Sequence, residues 1–159
     1  MTITLSKHSR VTAGVLLLAL AAVEFGGYYL TSVVRGDVAL TELQENFARA
    51  GHAHAGVLVT LGLVGLILAD AARLRGVWGV LGRHGIPAGA LLISLGFFLS
   101  STGEGTTSPN GLIVLLWLGA ASLSVGLLTL GVALIVGPRG EHVPQPGSAG
   151  EDDLAELRR

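Results

Sequence analysis

Four long apolar runs govern what this chain can become. They lie near residues 11–34, 51–71, 85–101 and 111–136, and each is about the length needed to cross a hydrocarbon core of roughly 30 Å. The expected fold class is therefore all-α, an integral membrane bundle of four transmembrane helices, with residues 1–137 forming a single domain. Half of the 159 residues are hydrophobic and 13% are charged, a balance that fits a membrane protein better than a small soluble domain. The first run, "VTAGVLLLALAAVEFGGYYLTSVV", is too long for the apolar core of a signal peptide. No convincing A-x-A cleavage site follows it, so it is expected to stay as a span.

Charge placement sets the topology. Lys7 and Arg10 precede the first run, Arg73, Arg75 and Arg83 fall between the second and third, and Arg139 follows the fourth. The third connection, "TGEGTTSPN", has no basic residue, and the first dilutes Arg35 and Arg49 with Asp37, Glu42 and Glu45. The positive-inside rule then puts both termini in the cytoplasm of a multi-pass cell-membrane protein. Pro87, near the start of the short third run, is expected in the first turn of its helix. Residues 138–159 are polar and rich in Pro and Gly, which reads as a disordered cytoplasmic tail. Near-neutral net charge gives no reason to expect a nucleic-acid partner.

The second helix is expected to begin outside the bilayer. "TELQENFARAGHAHAG" has no breaker before Gly51, Thr41 is a suitable N-cap, and Glu45 precedes Arg49 by four residues, the favoured order for a helical ion pair. Helix 2 thus runs into the membrane without interruption and carries His52 and His54 to the non-cytoplasmic interface. Gly and Ala occur in every run. Close helix packing explains most of them, while Gly51 with Ala55, and Gly62 with Ala69, could instead leave room for a flat ligand.

Ionisable groups at such depth are costly and mark candidate sites. The absence of cysteine excludes disulfides, iron–sulfur clusters and thiolate ligands. His52 and His54, two residues apart, point to nearly opposite sides of a helix, so they cannot share one metal, and the i, i+4 spacing of helical zinc sites is missing. A single axial ligand to haem iron needs only one imidazole in an apolar pocket; the plainer alternative is that both histidines hydrogen-bond at the interface. Arg49 shares a face with His52 and suits an anion such as a propionate, or simply a pair with Glu45. Glu24, past the middle of the first run and followed by Gly26 and Gly27, could bond a histidine, relay protons or stay protonated in a dry site. Asp70 is expected to pair with Arg73, and Tyr28 and Tyr29 to anchor at the interface.

These residues carry a resemblance. An aromatic residue followed by Ala-Arg-Ala leads into "AHAG" at the head of the second of four spans. With "GFFLSS" at 96–101 and "SPN" at 108–110, this is similar to the styrene oxide isomerase family, small bacterial membrane proteins. The likeness covers roughly residues 11–136 through short motifs. It implies a homotrimer binding haem b between subunits. A histidine at the start of the second helix would be the axial ligand, and ferric iron would act as a Lewis acid that rearranges a small apolar epoxide, taken from the lipid, to an aldehyde. Matching His-x-Gly without a gap makes His54 that ligand; matching Arg-Ala makes it His52, at the cost of a one-residue gap. Arg49, Gly51 and Ala55 would complete the cofactor's surroundings, and Glu24, Thr60 and Phe98 are the candidate catalytic positions.

Two departures stand at the reacting end. Phe98 replaces a family Tyr, and Thr60 replaces an Asn six residues after the axial His. Both changes remove or shrink hydrogen-bonding groups, a loss of several kcal/mol for orienting an epoxide oxygen. The resemblance thus supports scaffold and cofactor better than reaction. A haem sensor or electron-carrying accessory subunit, and a small proton- or ion-translocating oligomer using Glu24, His52 and His54, remain open alternatives.

Overall fold

The computed structural model describes residues 4–137; the expected disordered tail at 138–159 lies outside the described residues. Four helices occupy the chain, α1 (Lys7–Val34), α2 (Glu42–Ala71), α3 (Gly76–Ser100) and α4 (Val114–Val136), with a 3₁₀ turn at Gly111–Ile113 leading into α4. All four are long and apolar enough to cross a membrane, and no strand occurs among the described residues.

Local signals explain the helix ends. Ser6 caps α1 by accepting from the Ser9 amide at 3.2 Å. Thr41 caps α2 as expected, and more completely: its hydroxyl accepts from the Gln44 amide while the Gln44 side chain accepts from the Thr41 amide, a reciprocal capping box. Glu45 and Arg49 form the anticipated pair at 2.5 Å. α2 therefore starts nine residues before its apolar run, and its first turns are tied to the loop after α3 through Gln44, which donates to the Ser101 and Gly103 carbonyls. At the other end Arg73 donates to Asp70 O and Leu74 to Ala69 O, closing a Schellman motif. The residue in the left-handed position is Arg73, φ 52°, where glycine is usual.

The third helix departs most from expectation. It begins at Gly76 rather than near residue 85, so Arg83 is helical and not in a loop, and Pro87 lies well inside the helix rather than in its first turn. The cause is an ion pair. Asp70 is held by Arg83, thirteen residues on, instead of by Arg73: its carboxylate accepts from Arg83 Nε at 2.9 Å and from a second guanidinium nitrogen at 2.8 Å, and from the Ser6 amide at 2.8 Å. The same guanidinium donates to the carbonyls of Leu74 and Gly79. With its charge matched and its donors satisfied, Arg83 no longer ends an apolar segment. Pro87 lacks the amide that would reach back four residues, but its ring fills a groove on α2, 3.6 Å from where a Cβ on Gly62 would stand.

Each helix packs chiefly on its sequence neighbours, and α1 does not touch α4. The four form an open arc with α2 and α3 at its centre. Of the most apolar stretch of each helix, 39% and 44% is buried for α2 and α3, against 6% and 11% for α1 and α4. One core cluster (Leu16, Leu58, Val59, Leu66, Ala90, Ile93) joins α1 to α2 and α3; a second (Ala69, Ile86, Leu130) joins α2, α3 and α4. α3 and α4 meet along a glycine seam, with Gly85 against Gly126 and Gly89 against Gly119, where missing side chains let the backbones close up.

Candidate functional site

α2 carries both histidines, and the arc gives them different neighbours. His52 turns toward α1. Its imidazole lies across the Gly26–Gly27 pair: a Cβ on Gly26 would be 3.4 Å from Nδ1, and one on Gly27 3.2 Å from Cε1. The two glycines thus serve the histidine ring itself. His52 Nδ1 is buried and has no hydrogen-bond partner, a state that costs about 1–3 kcal/mol when left uncompensated.

Beside that ring is a cavity of about 230 Å³ between α1, α2 and α3. α1 supplies Ala19, Ala22, Val23 and Gly26, small residues at helical spacing that hollow out its inner face; α2 contributes Ala55 and Val59, and α3 contributes Ser94 and Phe98. The Ser94 hydroxyl is already donated to the Ala90 carbonyl at 2.8 Å, so His52 brings the only ring nitrogens to an otherwise apolar wall.

His54 points the other way, toward α3, and is exposed. Its Nδ1 lies 2.7 Å from the Ala50 carbonyl. A carbonyl only accepts, so Nδ1 carries the proton and Nε2 keeps the lone pair. The ring packs on Phe97, centroids 5.1 Å apart, and Phe97 makes an edge-on contact with Phe47 at 5.3 Å. Next to His54 the outer face of α2 presents Ala53, Val57, Thr60 and Val64, all exposed.

The candidate residues therefore split into two groups. The cavity unites His52, Ala55 and Phe98, whereas His54 and Thr60 lie outside it on the outer surface of α2. The Thr60 hydroxyl donates to the Gly56 carbonyl at 2.8 Å. Glu24 is exposed on α1 and does not line the cavity. Gly51 leaves no room for a flat ligand: a Cβ there would stand 3.0 Å from the Phe98 ring and 3.1 Å from Phe97 Cβ, so its space is filled by α3. Gly62 and Ala69 likewise serve helix packing, Gly62 under Leu16 and Pro87, Ala69 in the second core cluster. Arg49, more than half exposed, is held by Glu45.

Phe97, Ala19 and Ala22 escaped the sequence reading; Gly26 did not, and the i, i+3, i+7 spacing of Ala19, Ala22 and Gly26 was the available signal. Among the described residues no group of three or more His, Asp or Glu side chains is placed to hold a metal ion. Comparison with family models, with curated proteins and with solved structures finds no match for the chain.

Proposed function

We propose that the chain is a haem-b-binding membrane protein resembling the styrene oxide isomerases, with His54 as the axial ligand. The bond between His54 Nδ1 and the Ala50 carbonyl carries the reading. Metal-ligating histidines characteristically donate their other ring nitrogen to a carbonyl or carboxylate, which fixes the tautomer and raises the basicity of the ligating nitrogen. Here that arrangement is built within α2, and Phe97 holds the ring plane.

The residues present fit the group. A porphyrin needs one imidazole, a broad apolar surface and a cation for its propionates. Ala53, Val57 and Val64 give the surface, and Arg49, at the head of the same helix, gives the cation. The open arc leaves this face uncovered, so a second copy of the chain is the natural other wall, in line with a homo-oligomer, a trimer by resemblance. Both termini would then be cytoplasmic in the cell membrane.

When bound, ferric haem supplies Lewis acidity toward the oxygen of a small apolar epoxide, whose rearrangement to an aldehyde is the reaction the resemblance implies. The chain adds little beside that oxygen. Thr60 has spent its proton on Gly56 and offers only lone pairs, Phe98 offers no donor, and Glu24 sits on another helix face. This scarcity of donors beside His54 favours a second reading, in which the haem serves as a sensor or electron carrier without turnover. No comparable observation favours a proton relay, because Glu24, His52 and His54 face three different surroundings.

The test is an absorption spectrum of detergent-purified protein expressed with ample haem. A Soret band in the wild type and in His52→Ala, absent in His54→Ala, is the expected result, after which epoxide turnover separates isomerase from sensor. A band lost only in His52→Ala would move the ligand to the cavity side of α2. No band in the wild type would remove the haem reading.

A further inference from the structure

We infer that the cavity between α1, α2 and α3 is a binding site for a neutral, single-ring compound bearing one hydroxyl group, held through His52. The inference does not rest on haem binding. Its first support is size. A dry cavity of about 150 Å³ suffices for benzene, so about 230 Å³ has room for one ring with a small substituent. The second is lining: Ala19, Ala22, Val23, Ala55, Val59 and Leu95 offer apolar contact and no charge, which excludes ionised ligands.

The third support is the orphaned nitrogen. His52 Nδ1 is buried without a partner and lies against Gly26, itself a wall of the cavity. A modest rotation about the Cβ–Cγ bond brings it to the inner surface, since glycine at 26 leaves the ring space to turn. An unpaired buried N–H is rarer and costlier than an unpaired acceptor, so the resting ring keeps its lone pair on Nδ1. It therefore wants a donor. A hydroxyl satisfies it; an ether or epoxide oxygen, which only accepts, does not. α1 is the least buried helix, and Ala22 at the cavity's edge is exposed, so the ligand arrives sideways from the lipid.

The experiment titrates phenol and toluene into full-length, ¹⁵N-histidine-labelled protein in nanodiscs, with His52→Phe and Ala22→Leu in parallel. Toluene matches phenol in shape without the donor, and comparing ratios between variants cancels their different partition into lipid. In the wild type, phenol should bind saturably and shift the His52 Nδ1 resonance, with a preference over toluene roughly 3- to 10-fold larger than in His52→Phe, the worth of one net hydrogen bond. Ala22→Leu, a change on an exposed α1 position, should weaken both ligands. An unchanged phenol-to-toluene ratio in His52→Phe would overturn the role of the histidine. Equal binding in Ala22→Leu, or no saturable binding in the wild type, would overturn the site. Haem-free protein serves equally well, so failure of the Soret test leaves this result standing.

Discussion

Replacing Gly85 by alanine adds one methyl group where the α3 and α4 backbones meet in the glycine seam. The new Cβ would lie 2.7 Å from Gly126 Cα, 2.9 Å from Gly126 N and 3.0 Å from the Ser122 carbonyl, all backbone atoms. Ordinary contact begins near 3.4 Å, so no rotamer change can relieve the clash and the two helices must separate. Overpacking of this kind costs about 1–3 kcal/mol. Separation also stretches the bond from Ser122 Oγ to the Gly85 carbonyl, now 3.0 Å, whose loss is worth about 1 kcal/mol. Alanine recovers about 0.5–1 kcal/mol of helix propensity, leaving a net destabilisation of about 2 kcal/mol. Gly131→Ala on α4 is the control: nothing lies within 4 Å of its Cβ, so only the propensity gain remains. Reversible unfolding in mixed detergent, followed by far-ultraviolet circular dichroism, separates the two. Should Gly85→Ala unfold at the same denaturant fraction as Gly131→Ala, the backbone-to-backbone seam is not what holds α3 to α4.

Two further changes probe the ends of the bundle. Asp70→Asn removes the charge facing Arg83 in a pair whose side chains are 5% and 16% exposed; loss of about 3–5 kcal/mol is expected. Asp37→Asn, in an exposed pair with Arg35, should move the same unfolding curve by less than about 1 kcal/mol. Thr41→Ala deletes the capping box of α2 and the link from Thr41 Oγ1 to the Thr106 carbonyl. A loss of about 1–2 kcal/mol is expected, and hydrogen exchange should quicken at the first amides of α2 and in the 101–106 loop together. Faster exchange in α2 alone would mean the loop does not depend on that cap.

What could be read from the sequence was local. The cap at Thr41 and the Glu45–Arg49 pair depend on residues three or four apart, and a single strand of text contains both partners. Four apolar helices followed from length and hydropathy alone. The start of α3 did not, because it depends on Asp70 and Arg83 meeting across thirteen residues and a left-handed turn at Arg73. A polar-looking "RHG" before Pro87 reads as a connection until its arginine has a partner. The cavity was hidden for the same reason: Ala19, Ala22, Ala55 and Ser94 become its walls only when three helices meet.

The two histidines show where local geometry does reach function. An i, i+2 pair on a helix is turned by about 200°, so whatever neighbours α2 acquires, the two rings must meet different ones. The arc then assigns those neighbours asymmetrically. On the α1 side the glycines at 26 and 27 admit the His52 ring and leave its Nδ1 unpaired beside an apolar cavity that opens past α1. On the α3 side Phe97 and the Ala50 carbonyl fix His54 with one nitrogen spent and the other free on an open face. The proposed haem site uses the free His54 nitrogen, facing outward, and the proposed hydroxyl site uses His52 Nδ1, facing inward. On the readings proposed above each histidine serves a ligand rather than helix packing, and leucine at either position would then suit the unliganded bundle better. His52→Leu and His54→Leu should therefore each unfold at higher denaturant than the wild type in the absence of ligand. A loss of stability on either change would show that the ring is structural and would remove its ligand.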